Sequence, residues 1–501
     1  MAKKIHKTKK TPLFKNVGFY FVLLYALLTL GMIVQVFTVN VIPMKYAMIV
    51  CVILLLLLLG MYYLQLGKKV NKVNKVLGKI LIIILAVFLG VGNWYLFKTG
   101  SAFSRMTGDD TQTSVISVVV MKESKAESIE DLKNSKFGLT KTGSQDTMEK
   151  GLADIKKDAG QDITTVDYKS YKTIADDLYD GKIDAIIMDE ATRSLFEDNH
   201  SKFDSETRIV KSYKYKTSTK DISKNVDVTS EPFKVYITGI DTYGTISTVS
   251  RSDVNMIATV NPKTHQVLLT SIPRDYYVPQ PCQGGQTDKL THTGIFGVDC
   301  TVETVENYFG IDINYYVRVN FSSVENIVDA LGGINVDSPI AFNALGYSFS
   351  AGTNSLNGKE ALAFSRERYS LGGGDRDRGK NQMRVITGII NKAISPSIIT
   401  NYTSILDAVS GSFQTNMSNS EMTSLIKMQI NDMSGWDIEQ ISVNGTGNAS
   451  AWSPANGFNS WVMEPNVNTV KRAVEVIKKV ENGEDVKALA QQVMEENTAD
   501  E

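Results

Sequence analysis

Three stretches of this chain carry no charged side chain: Val17 to Met44, Tyr46 to Leu66 and Ile80 to Phe97. Each is close to the ~20 residues a helix needs to cross the hydrocarbon layer of a bilayer. Val76 and Leu77 extend the third past Lys79. Inside lipid every backbone N–H and C=O has to be paired within the segment, which leaves the helix as the form open to such a span. The pattern therefore predicts three N-terminal transmembrane helices. A cleaved signal peptide has one short apolar core and does not account for three.

Lysine sets the direction. The N-terminal tail carries Lys3, Lys4, Lys7, Lys9, Lys10 and Lys15, and the second connection carries Lys68, Lys69, Lys72, Lys75 and Lys79. The connection between the first two spans has Lys45 alone. Positive charge is retained on the cytoplasmic side. The expected protein is thus a multi-pass cell-membrane protein with a cytoplasmic N-terminus, and its main domains, after Phe97, are extracytoplasmic. Cysteine usage agrees. Cys51 lies in the second span, whereas Cys282 and Cys300 both lie in the exported part. An oxidising compartment permits a disulfide between those two, worth ~3 kcal/mol by loop closure, with a pair of reduced thiols as the alternative. Lys and Arg total 53 against 54 Asp and Glu. That balance gives no basic excess for nucleic acid, and no nucleic-acid partner is expected.

The exported part divides by composition. After the membrane region (1–98), residues 99–113 are polar and read as a linker. Residues 114–221 alternate apolar strands with helical stretches and read as a small α/β accessory domain. Ser128, three residues before Asp131, looks like a helix N-cap. Lys202 to Glu231 reads as exposed surface or linker. Residues 231–445 mix strands and helices in an order that predicts a central mixed sheet with helices on both faces. Residues 446–501 read as a C-terminal extension, and its acidic end, Glu481 to Glu501, as a frayed helix or tail.

Phe233 to Tyr277 is the most informative stretch. Phe233 to Ile240, Val254 to Val260 and Gln266 to Pro273 are apolar and β-branched, and read as strands. If they run up, down and up, Asp241 ends the first, Asp253 precedes the second and Arg274-Asp275 ends the third. All then lie at one edge of the sheet. Two carboxylates and a guanidinium there suit a hard cation bridged to a phosphate.

A second cluster runs from Ala363 to Arg384, with Arg366, Arg368, Arg376, Arg378 and Arg384. In an extended backbone Arg366 and Arg368 point one way and Glu367 the other. Arg378 and Gln382 are four apart at the entrance to a helix and can face one ligand. Guanidinium groups bind phosphate oxygens bidentately, and a helix N-terminus favours an anion. Alone, the cluster reads as a salt-bridged surface, since Glu367, Asp375 and Asp377 are interleaved. Beside a carboxylate pair at a sheet edge it reads as a phosphate cradle.

These segments together resemble the LytR-CpsA-Psr family: GIDTYG at 239–244, SRSD at 250–253, SIPRDYYV at 271–278, DKLTH at 288–292, VDALGGI at 328–334, and FSRERYS with GGDRDRGKNQ. Three spans followed by an accessory domain are similar to its streptococcal capsule-biosynthesis branch. The resemblance implies an extracytoplasmic phosphotransferase that moves a glycopolymer, capsular polysaccharide in that branch, from undecaprenyl pyrophosphate to peptidoglycan. It implies Mg²⁺, with Mn²⁺ as the alternative, held by Asp241 and Asp253. It assigns the pyrophosphate to Arg251, Arg274, Lys289, Arg366, Arg368, Arg378 and Gln382, catalysis to Asp241, Arg274, Arg366 and Arg368, and support to Asp375. The implied partners are the lipid-linked polymer, peptidoglycan, the membrane and other capsule-assembly proteins. Asp275, His292 or a phosphate oxygen are the candidates to take the acceptor's proton. Three other readings compete: a hydrolase of the same lipid, a membrane-anchored regulator, and a tethered polymer-binding protein.

Overall fold

In the computed structural model the described residues are 14, 16–106, 111–140, 145–240, 246–395, 405, 408 and 411–499. The chain is α/β, with three long apolar helices followed by sheet-rich domains, and it divides into two units. The first unit comprises the first 104 residues with residues 419–433. Its helices are Val17–Val39, Met44–Leu66 and Lys72–Met106, each long and apolar enough to cross a membrane. Val22, Tyr25, Leu54, Met61, Ile82 and Leu89 pack together inside. Leu27, Leu56 and Phe88 face outward, as lipid-facing side chains do. Asn93 Nδ2 donates to Leu28 O (3.1 Å) and Leu89 O (2.8 Å), an interhelical bond of the kind that joins apolar helices. The third helix runs through most of the expected linker. Its polar residues are satisfied locally, Thr99 and Ser101 each donating to a carbonyl four residues back at 2.9 Å. Helix Asn419–Asp432 belongs to this unit, with Lys427 Nζ donating to Asn40 Oδ1 at 2.6 Å.

Among the described residues the second unit holds two large sheets and four two-stranded ones. The smaller has five strands in the order Thr164–Tyr168, Lys136–Thr140, Ala185–Asp189, Thr111–Met121, Thr207–Ser218. Thr207–Ser218 is an edge strand paired along its whole length, not the linker its composition suggests. Its alternating lysines are a common way to protect a sheet edge. The helix expected from Ser128 is a single 3₁₀ turn, Glu130–Leu132, held by reciprocal bonds between Ser128 and Asp131.

The larger sheet has six strands in the order Phe413–Thr415, Tyr315–Val319, Phe233–Ile240, Ser252–Asn261, Gln266–Ser271, Asp437–Ser442. The three central strands form the expected antiparallel meander, with Ile240 opposite Ser252 and Met256 opposite Ser271. Helix Phe321–Ala330 opens with a capping box at Asn320 and ends before Gly332 and Gly333, both at positive φ. Helix Asp375–Ala393 has Arg378 in its first turn, at the helix entrance as expected.

The C-terminal segment is part of this core rather than a tail. A hairpin, Gly445–Ser453 with Phe458–Pro465, leads into helices Val467–Glu481 and Lys487–Ala499. Val486, Ala490 and Val493 fall on one helical face and are buried with Leu268 and Ile441 of the sheet. Cys282 and Cys300 are joined, with their Cα atoms 5.5 Å apart.

Candidate active site

The meander places its polar residues as the alternation requires. Asp253 is the second residue of its strand, and Arg274 follows the neighbouring strand by three residues. Arg274 Nη1 donates to Asp253 Oδ2 at 2.7 Å, and Thr291 Oγ1 donates to Asp253 Oδ1 at 2.8 Å. Burial pushes the Asp253 carboxyl up, but the guanidiniums of Arg274, Arg251 and Arg378, with the Thr291 hydroxyl, outweigh it and bring it down to about 2. The arginine cluster meets this edge from the other side. Arg366 is the last residue of helix Gly358–Arg366, and Glu367 turns out of it. That differs from the extended arrangement expected there. Arg366 lies 4.1 Å over the Phe321 ring, and Glu367 Oε1 accepts from the N–H groups of Tyr369 and Ser370. Arg378 sits in the first turn of helix Asp375–Ala393, its Nη2 2.6 Å from Asp375 Oδ1, and Gln382 follows one turn on.

Arg251, Asp253, Arg274, Arg366, Arg368 and Arg378 line one cavity of about 460 Å³, and Gln382 joins them. Seven of the predicted site residues are therefore brought together. Asp375 lines a smaller adjoining space of about 20 Å³, roughly one water's worth, with Asp253, Arg274 and Arg378. Lys289 stands apart from the cavity wall, its Nζ 3.5 Å from Asp275 Oδ1. Asp241 lies outside the described residues. His292 is fully buried and its Nδ1 is 3.1 Å from Asp288 Oδ1. Asp288 in turn accepts from Ser453 Oγ and Ala455 N–H, so this buried pair anchors the C-terminal hairpin.

An apolar tunnel between helices and sheet is expected for a prenyl chain, but the sequence does not map its residues. From the cationic mouth the cavity extends between the sheet and two helices, walled by Ile237, Val317, Val324, Ile327, Val385 and Ile389. Gln382 to Ile389 is seven residues, or ~10 Å along a helix axis, so the apolar arm runs well beyond the arginines. The signal that could have revealed it is a helix whose first turn is cationic and whose later inward face is aliphatic.

Among the described residues no cluster of three or more His, Cys, Asp and Glu forms a metal cage. The donor chemistry nevertheless fits a hard cation in part. Asp253 stays ionised, and each of its oxygens accepts one bond, leaving a lone pair for a cation that takes its other ligands from water and phosphate.

Comparisons with known proteins identify the family. The profile of the LytR-CpsA-Psr family matches residues 194–475. A second profile, DNA polymerase processivity factor, matches residues 68–188. That range joins the third apolar helix to four strands of the small sheet, so it coincides with no folded unit. The polyisoprenyl-teichoic acid–peptidoglycan teichoic acid transferase TagU of Enterococcus faecalis is 40% identical over 238 residues, 46% of this chain and 77% of that one. TagU of Bacillus subtilis is 41% identical over 205 residues, 41% of this chain and 65% of that one. The crystal structure of B. subtilis TagU shares 34% identity over 50% of this chain and 96% of that one, with a TM-score of 0.39. With the profile spanning more than half of its length, including every described residue of the cationic edge, this chain belongs to the LytR-CpsA-Psr family.

Proposed function

We propose that this protein transfers a glycopolymer, with its sugar-linked phosphate, from polyprenyl pyrophosphate to peptidoglycan on the outer side of the membrane. The observation that carries the reading is the single cavity with a guanidinium-lined mouth and an aliphatic arm. A pyrophosphate with a prenyl tail is a molecule of that polarity. The relatives named as transferases to peptidoglycan support the same reaction class. Capsular polysaccharide is the polymer expected from the branch resemblance, and teichoic acid is the polymer in the relatives' names.

An acceptor hydroxyl attacks the phosphorus that carries the sugar. A new P–O bond forms, the bond to the bridging oxygen breaks, polyprenyl phosphate leaves with that electron pair, and the hydroxyl's proton passes to a phosphate oxygen or to Asp275. Arg251, Arg274, Arg366, Arg368 and Arg378 bind the phosphate oxygens on which charge grows, and Gln382 adds an amide donor. Asp253 orients Arg274, and Asp375 orients Arg378. Asp253, together with Asp241 as the resemblance implies, would hold Mg²⁺ or Mn²⁺, which supplies further charge neutralisation at the phosphates. The apolar arm fixes the leaving group and with it the line of attack.

The test uses the full chain in lipid nanodiscs with Mg²⁺, peptidoglycan fragments, and either a capsule-type or a teichoic-acid donor on polyprenyl pyrophosphate. Mass spectrometry should find a phosphodiester-linked conjugate from the parent protein and at least 100-fold less from Arg368→Ala, about what loss of one oriented donor costs. Free polyprenyl phosphate without conjugate would establish hydrolysis instead. Tight lipid binding without turnover in both proteins would make this a polymer-binding protein.

A further inference from the structure

The loop that carries Arg251 to the cavity is built by two domains. Thr113, in the small sheet, donates its N–H to Ser247 O at 2.8 Å and accepts from Val249 N–H at 3.2 Å. Val249 is buried in the small domain's core with Tyr171 and Phe196. From the large domain Arg318, 2% exposed, donates Nη2 to Thr248 O at 2.6 Å. The loop so fixed delivers Arg251. Its Nη1 lies 3.3 Å and 3.5 Å from the two oxygens of Asp198, the residue that closes helix Arg193–Glu197 of the small domain. Arg251 Nε is buried and makes no hydrogen bond. The carboxylate within ion-pair distance of the Arg251 guanidinium is that of Asp198. Arg274 and Arg378 take their carboxylates from the large domain; Arg251 takes its partner from the small one.

We propose that Asp198 is a positioning residue for the pyrophosphate site, through which the docked small domain orients Arg251 before the donor lipid arrives. A long guanidinium side chain loses rotamer freedom on binding an anion, and a partner that has already restrained it reduces that loss. The pair engages one terminal nitrogen, so the guanidinium's other donors remain for phosphate. The proposal rests on the reading of the cavity as a polyprenyl-pyrophosphate site and deepens it: donor binding requires a correctly docked small domain.

The test measures binding of geranylgeranyl pyrophosphate to the full chain in nanodiscs. The set is the parent protein, Asp198→Ala, Asp198→Glu, Arg251→Ala and the Asp198→Ala/Arg251→Ala double variant. Asp198→Ala should weaken binding about fivefold, the effect of losing one partly exposed pair. Asp198→Glu should recover the parent affinity to within about twofold. In the Arg251→Ala background the Asp198 substitution should change nothing, because contacting residues that act together are not additive. A fivefold loss in both backgrounds would overturn the proposal in favour of a general effect on small-domain folding. Unchanged or tighter binding in Asp198→Ala would overturn it too, the latter meaning that Asp198 competes with the ligand. A parent protein that binds no pyrophosphate probe would instead overturn the reading of the cavity itself.

Discussion

Asp253 is where the electrostatics of this protein concentrate. Its carboxyl is held at about 2, below the ordinary value of 3.8, because Arg274, Arg251 and Arg378 outweigh its burial. A carboxylate depressed in the folded state stabilises that state above its unfolded pKa and loses the contribution as pH falls through the folded one. Asp253 should thus contribute about 2 kcal/mol above pH ~4, fading towards pH ~2. Thermal unfolding of the full chain in detergent should show Asp253→Asn less stable than the parent by about that amount at pH 7, with the gap closing near pH 2; a gap that does not vary with pH would contradict the assignment. Gly294 makes a steric counterpart. A Cβ there would lie 2.5 Å from Ser250 O and Ser252 N, backbone atoms of the segment that carries Arg251. Gly294→Ala should cost about 1–3 kcal/mol by the same melt and weaken pyrophosphate binding as well, since relief of the clash moves Arg251. At this scale much was legible in the sequence. Strand alternation alone put Asp253 and Arg274 at one edge, and they are 2.7 Å apart. What alternation does not carry is which carboxylate a lysine or arginine will choose. Lys289 turned to Asp275, and Arg251 to Asp198, 53 residues earlier in the chain.

Helix Asp375–Ala393 does two jobs at its two ends. Its first turn carries Arg378 to the mouth, where the N-terminal end of the helix favours an anion. Its later turns bring Val385 and Ile389 against the apolar arm. The sequence shows the first job, because Arg378 and Gln382 at four-residue spacing stand out within an arginine cluster. It hides the second, because an aliphatic helix face reads equally as core and as the wall of a lipid channel. The two differ only in whether the space opposite is filled. Ile389→Trp fills it. That variant should bind geranylgeranyl pyrophosphate at least tenfold more weakly while binding inorganic pyrophosphate within about twofold of the parent, since one added ring blocks the arm and leaves the arginines in place. Equal loss for both ligands would mean the helix had shifted as a whole. The buried face of helix Lys487–Ala499 was hidden for the opposite reason. Its polar residues outnumber its buried ones, so Val486, Ala490 and Val493 do not register as a stripe until the sheet beneath them is known.

At the scale of the whole molecule, three apolar helices, a lysine-rich tail and a joined cysteine pair make one argument. Three crossings, an odd number, would place the folded domains opposite the N-terminal tail, and the lysine distribution is that of a tail kept inside. A Cys282–Cys300 disulfide persists in an oxidising compartment, as the outer side would be. Both inferences meet in one experiment on intact cells with a membrane-impermeant maleimide. Cys51 is buried within the second apolar helix and should stay unlabelled. Cys282, at the exposed surface, should be labelled only after reductant is added outside. The Cys282→Ser/Cys300→Ser variant should never be labelled, and it should also melt earlier than the parent by a few degrees, since closing that loop contributes ~3 kcal/mol to a large domain. Labelling without reductant would mean free thiols on the outer face, with the topology upheld and the disulfide absent. Labelling that requires lysis of the cells would place the arginine-lined cavity in the cytoplasm. There it would lie on the opposite side from peptidoglycan, and the transferase reading would fall with the topology.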